Sequence, residues 1–153
     1  AIECMNKLNL VDTILEINHK KKAILGLCLG MQMLFEDSEE NSYTEGLSIL
    51  KGNIKSLKKE NVKVPNVGWR NLEINNKNKD VHILRNIKST DSFYFIHSFY
   101  AKNISDNNIT INSKYESILL PSIVLTENIV GIQFHPEKSG IKGLTILDNF
   151  SKI

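Results

Sequence analysis

Three residues in this chain, Cys28, His135 and Glu137, have the types and settings that nucleophilic catalysis requires. Cys28 stands in Gly26-Leu27-Cys28-Leu29-Gly30, a G-x-C-x-G pattern between a short apolar run and renewed helical periodicity. That is the setting of a nucleophile elbow, in which a strained turn between strand and helix holds up the attacking atom. Glycines two residues to either side remove Cβ atoms that would clash at so sharp a bend. A helix N-terminus offers unpaired N–H groups and a positive dipole end, so the Cys28 pKa is expected below the free value of about 8.5. The backbone N–H of Leu29 is expected to face the oxyanion of a tetrahedral intermediate. The pentapeptide alone also fits a buried cysteine flanked by packing glycines.

Such a thiol needs a base held in one tautomer. His135-Pro136-Glu137 provides both parts: Pro136 biases His135 toward extended backbone at the end of an apolar strand, and Glu137 can accept the second ring N–H. A lone His-x-Glu is more often a surface pair, and the distant cysteine elbow gives this one its meaning. Of the other histidines, His19 and His82 read as surface residues, and His97 as hydrogen-bonded and partly buried.

These residues must be positioned by alternating helices and strands. Apolar residues at three- and four-residue intervals predict an amphipathic helix over residues 2–17, ended by a solvated run of His19 and three lysines. Residues 23–27 predict a strand buried on both faces. Short strands are expected at 47–49, 53–57 and 62–64, a polar turn at 75–80, and a strand over 91–100. A hairpin of 118–126 and 129–134 and a closing helix with Ile141, Leu144, Leu147 and Phe150 inward complete the pattern. The rhythm predicts one α/β domain over residues 1–153, doubly wound, with a mostly parallel sheet, helices on both faces and an antiparallel extension.

With 41% hydrophobic residues and a net charge of +2, the chain has a core but no basic stripe, which disfavours nucleic acid as a partner. No apolar run approaches the roughly 20 residues of a membrane span, and no leader pattern opens the chain. Two dissimilar cysteines, Cys4 and Cys28, form neither a disulfide framework nor a zinc cluster. A metal-free, cofactor-free cytoplasmic protein is expected.

The segments Gly26-Leu27-Cys28-Leu29-Gly30-Met31-Gln32 and Gln133-Phe134-His135-Pro136-Glu137 resemble the two signature motifs of class I glutamine amidotransferases. Residues 63–69, 93–100 and 136–140 are most similar to those of the glutaminase subunit family of imidazole glycerol phosphate synthases. The resemblance implies a flavodoxin-like fold, Cys28, His135 and Glu137 as catalytic triad, and glutamine held by Gln32, Glu40 and the Ser98–Phe99 region. Gln32, one helical turn beyond Cys28, is placed by its spacing to reach the same site. The resemblance further implies a (β/α)8-barrel cyclase as heterodimeric partner, receiving ammonia through a tunnel, with Pro65, Trp69 and Lys138 at the interface. Asn66 and Arg70 stand where that family usually has His and Asn. The family's first strands, and the glycine loop giving a second oxyanion donor, precede the point where this sequence begins. On the order of 50 residues are thus expected upstream, and this stretch alone is expected to be unstable or inactive. Two other readings are an amidotransferase supplying ammonia for amidino sugars of surface polysaccharides, and a non-catalytic binding subunit of the same fold.

Overall fold

The computed structural model describes residues 2–153, so Ala1 of the expected domain lies outside the described residues. Helices α1 (Ile2–Lys7) and α2 (Leu10–His19) lead into strand β1 (Ile24–Leu27) and helix α3 (Leu29–Met33). Then follow β2 (Asp37–Ser38), β3 (Thr44–Glu45), β4 (Asn53–Ser56), β5 (Asn66–Asn71), β6 (Ser92–His97) and β7 (Phe99–Lys102). The chain ends with β8 (Ile109–Tyr115), β9 (Ile118–Leu125), β10 (Ile129–Ile132) and helix α4 (Gly140–Phe150).

The main sheet has the order β1-β10-β9-β8; a second runs β3-β2-β4-β7, and β5-β6 form a separate ribbon. The expectation of a mostly parallel sheet fails. In the main sheet β1 and β10 are parallel, whereas β10-β9 and β9-β8 are antiparallel. The reason is connection length: β8, β9 and β10 are joined by turns at residues 116–117 and 126–128, and parallel neighbours need crossovers of about a dozen residues or more.

Strand β10 is buried along its whole length. Side-chain alternation sends Val130 and Ile132 into one apolar cluster with Phe93, Phe95, Phe134 and Ile146. Ile129 joins the other, with Met31, Phe35, Leu50 and Ile54. By contrast, β1 was expected to be buried on both faces, yet only its Gly26 is fully buried, because β10 is its sole paired neighbour among the described residues.

Other departures have local causes. The single helix over residues 2–17 is broken at Asn9, which adopts the left-handed conformation (φ 53°) that asparagine enters readily. The break rotates the apolar stripe, so Ile2, Met5, Val11 and Ile14 pack on the core while Leu8 and Leu15 are exposed. Residues 47–49 form no strand; the N–H groups of Leu47, Ile49 and Leu50 instead bond the carbonyls of Met33 and Leu34 that the end of α3 leaves open. Residues 62–64 are also irregular, with Lys63 held by the Glu116 carboxylate and the Tyr115 hydroxyl. The strand expected over 91–100 divides at Ser98, so that His97 pairs with Asn66 and Phe99 with Ser56 in another sheet. Helix α4 buries Gly143, Ile146 and Asn149 and leaves Ile141 and Leu144 exposed, one residue out of register with the expected stripe. No helix among the described residues is long and apolar enough to cross a membrane.

Candidate active site

The parallel register pairs Leu27 with Ile132, so the chain leaves β1 and β10 at the same end of the sheet. Cys28 follows one strand and His135 the other. The Cys28 N–H donates to the Ile132 carbonyl at 2.6 Å, extending the pairing one residue beyond β1. Its backbone sits at φ 48°, ψ −106°, a conformation L-residues seldom occupy unless the surroundings impose it. A Cβ on Gly26 would lie 2.9 Å from the Gly30 carbonyl group, so the bend requires glycine there. Gly30 does not follow the expectation: a Cβ on it would meet nothing within 4 Å.

His135 is fixed from three directions. Its N–H donates to Tyr94 O at 2.9 Å, and its carbonyl accepts from Ser139 Oγ at 2.6 Å, while that hydroxyl accepts from Tyr94 N–H at 2.9 Å. Phe134 packs against Phe93 and Phe95, with ring centroids 4.5 and 5.5 Å away. The imidazole Nδ1 lies 2.7 Å from Glu137 Oε1, an arrangement that assigns the proton to Nδ1 and leaves Nε2 as an acceptor. Burial pushes the Glu137 carboxyl up, but the His135 hydrogen bond and Lys138 outweigh it and hold it below the usual range.

The thiol environment reverses one expectation. Burial pushes the Cys28 pKa up, and the charges of Glu137 and Glu40 add to the rise. The Leu29 backbone N–H and the Gln133 side chain oppose it without prevailing. A five-residue helix supplies too little dipole to overcome desolvation. A neutral thiol that surrenders its proton on attack is what this arrangement favours.

Gln32 and Glu40 line one cavity of about 90 Å³ together with Leu29, Asp37 and Ser38. Glu40 N–H donates to Ser38 Oγ at 3.1 Å, and neighbouring Glu39 is anchored by Lys59 and the Ser56 N–H, which hold its carboxyl at about 2. Gln32 Nε2 donates to Phe99 O at 3.1 Å and to Gln133 Oε1 at 3.0 Å. The Ser98 carbonyl turns the other way and accepts from Leu57 N–H. Gln133, wholly buried, reaches Cys28 Sγ with Nε2 at 3.7 Å. It was assigned no role from sequence, although the strand expected over 129–134 carried a signal: two residues before His135, it would share that residue's face.

The family model described as "Glutamine amidotransferase class-I" matches residues 3–153. The chain belongs to the class I glutamine amidotransferases. As such it hydrolyses glutamine to glutamate and ammonia through a cysteinyl thioester. A protein of Caldanaerobacter subterraneus described as "Imidazole glycerol phosphate synthase subunit HisH" is 42% identical, over 100% of this chain and 73% of its own length. A Pyrococcus furiosus protein of the same description is 42% identical over 93% of this chain and 71% of its own. Among solved structures, one described as a glutamine amidotransferase superposes with TM-score 0.67 at 14% identity, covering 97% of this chain and 72% of that one. The PurLQS structure from Thermotoga maritima gives 0.67 at 17% identity, over 94% and 67%. At such identities these two structures speak for the fold alone.

Elsewhere on the amidotransferase, His97 is hydrogen-bonded as expected but buried rather than partly buried. Desolvation lowers its pKa to about 4, so it is neutral, donating from Nδ1 to Phe99 O at 2.8 Å and accepting at Nε2 from Asn66 Nδ2 at 2.9 Å. The β5-β6 ribbon alternates strictly. Asn66, Phe93, Phe95 and His97 point inward, while Val67, Trp69 and Ile96 are exposed on the outer face. Trp69 is 52% exposed and packs edge-on against Tyr94 at 5.9 Å. Pro65 and Lys138 are exposed as well.

Proposed function

We propose that Cys28, His135 and Glu137 carry out the glutaminase reaction of an imidazole glycerol phosphate synthase, and that residues 1–153 belong to one glutamine amidotransferase domain. The reading is carried by one arrangement: Cys28 and the Glu137-bound His135 extend from the same end of two paired parallel strands.

Cys28 Sγ attacks the glutamine side-chain carbonyl while its proton passes to His135 Nε2; Leu29 N–H steadies the oxyanion. The tetrahedral adduct collapses as His135 returns that proton to the departing nitrogen, giving ammonia and a glutamyl thioester. Water, deprotonated by His135, then attacks the thioester and releases glutamate and the thiol. Glutamine's α-groups fit the cavity of Gln32 and Glu40, with Glu40 and the Gln32 carbonyl accepting from the ammonium and the Ser98–Phe99 backbone nearby. Both hydrogens of the Gln32 amide face the protein interior, which leaves Oε1 for the ligand.

The ammonia acceptor is a (β/α)8-barrel cyclase subunit, by likeness to the HisH relatives, and the exposed Trp69 with Pro65 and Lys138 suits an interface. Two free cysteines, one of them exposed, suit a cytoplasmic setting. In the whole protein assembled with its cyclase, Cys28→Ala is expected to lower glutamine hydrolysis by at least about 10³-fold. Undiminished hydrolysis would remove the basis of the reading, and failure to complement histidine auxotrophy would redirect the acceptor.

A further inference from the structure

We infer that Gln133 is a further catalytic residue, whose side-chain N–H is aimed at the Cys28 sulfur by a hydrogen-bonded chain anchored at the Phe99 carbonyl. The inference deepens the reading of Cys28 as nucleophile and rests on it.

What matters at the sulfur is the orientation of the Gln133 amide. Either end of an isolated glutamine amide can face a thiol, and only the N–H end favours a thiolate. Here the choice is forced from a distance. Phe99 O is a backbone carbonyl and can only accept; it takes a hydrogen bond from Gln32 Nε2 at 3.1 Å. The same Nε2 carries its second hydrogen to Gln133 Oε1 at 3.0 Å. With its oxygen bound there, Gln133 must present Nε2 to Cys28 Sγ, and the distance is 3.7 Å. The reversed amide would set N–H against N–H at Gln32 and a lone pair against the sulfur. Phe99 O is itself held by His97 Nδ1–H at 2.8 Å, and His97 by Asn66. Gln133 is wholly buried, and the bond that fixes its amide, to Gln32, is shielded from solvent.

The groups facing the sulfur make such a donor useful. Glu137 and Glu40 disfavour negative charge on it, and burial does the same. Among the described residues, Leu29 N–H and Gln133 act in the opposite direction. Gln133 therefore supplies one of two hydrogen bonds that stabilise the thiolate when the proton leaves.

The test is the pH profile of Cys28 alkylation by iodoacetamide in the whole protein with its cyclase, with Cys4 replaced by serine as background. Gln133→Met keeps length and volume but deletes the donor. Alkylation near pH 7 is expected to slow about tenfold, with the profile's midpoint displaced upward. Gln32→Met, which leaves Gln133 in place and frees its amide to rotate, is expected to displace the midpoint in the same direction by less. Unchanged profiles in both variants, with unfolding midpoints showing that either is folded, would overturn the inference. Because alkylation needs no glutamine, this result is independent of the Cys28→Ala hydrolysis assay, where a failure would instead strike the proposed function.

Discussion

Glu137 bonds His135 Nδ1 at 2.7 Å and is still 48% exposed, so its part in the proposed triad is to fix the tautomer rather than to bury a charge. Glu137→Gln is expected to retain the fold and lower kcat by roughly 10²–10⁴-fold, since the amide can present N–H to the ring and favour the wrong tautomer. Steady-state kinetics with KM little altered would support this; a kcat within about twofold of the parent would not. His97 gives a prediction of a different kind. Its folded value of about 4 lies below the ordinary 6.5, so the unfolded chain binds the extra proton first as pH falls. The stabilisation is complete above pH 6.5 and is lost as pH drops toward 4, on the order of 3 kcal/mol in all. Urea unfolding at several pH values is expected to show a shallower decline over that window for His97→Gln than for the parent. At this scale Cys28, His135 and Glu137 could be singled out from sequence because glycine and proline mark where strands end. The rise in the Cys28 pKa could not, because desolvation depends on what packs over the sulfur. Gln133 and Gln32 lie a hundred residues apart, and their contact exists only through the fold.

Helix α4 packs closely against the His-Pro-Glu turn at Gly143. A Cβ on Gly143 would fall 1.9 Å from the Pro136 carbonyl oxygen, a backbone atom with nowhere to move. Gly143→Ala is therefore expected to lift the helix or the turn, destabilising the protein by about 3 kcal/mol or more and lowering kcat as His135 shifts. Gly30→Ala, with open space around its new methyl, is expected to change stability by about 0.5 kcal/mol or less. Equal unfolding midpoints for the two variants would contradict the close-approach argument. The elements with strong local signals were legible: the β9-β10 hairpin, the 75–80 turn and α4 itself lie where periodicity and turn residues put them. What sequence could not supply was partner choice. Residues 47–49 look like a strand until the open carbonyls of α3 claim their N–H groups, and residues 91–100 look like one strand until Ser98 divides them between two sheets. The mostly parallel sheet was inferred from helix-strand alternation, whereas the direction of β8 to β10 is dictated by the brevity of their turns.

Across the whole molecule, the β5-β6 ribbon is the element that joins the catalytic end to an outward apolar face. Its inner residues Phe93 and Phe95 wedge Phe134, and the Tyr94 backbone holds both His135 and Ser139. On its outer face Val67 and Ile96 stand opposite each other, as do Trp69 and Tyr94, and Val67, Trp69 and Ile96 are all more than 40% exposed. An apolar row on a two-stranded ribbon is poorly placed facing water, and a rigid tryptophan at its centre is the kind of residue that dominates association energies. A barrel partner seated there would press on the strand that positions the base. Trp69→Ala is accordingly expected to weaken the cyclase complex by about 2 kcal/mol, roughly thirtyfold in Kd, measurable by titration calorimetry. In the unpartnered protein the same variant is expected to leave Cys28 alkylation as it was, because Trp69 packs on Tyr94 from the outer face of the ribbon, away from the proposed triad. An unchanged Kd would move the interface elsewhere. A Kd raised as expected, with glutaminase activity restored to the parent level at saturating cyclase, would show that Trp69 serves attachment and not the chemistry, as its distance from the hydrogen bonds that hold His135 on the Tyr94 backbone implies.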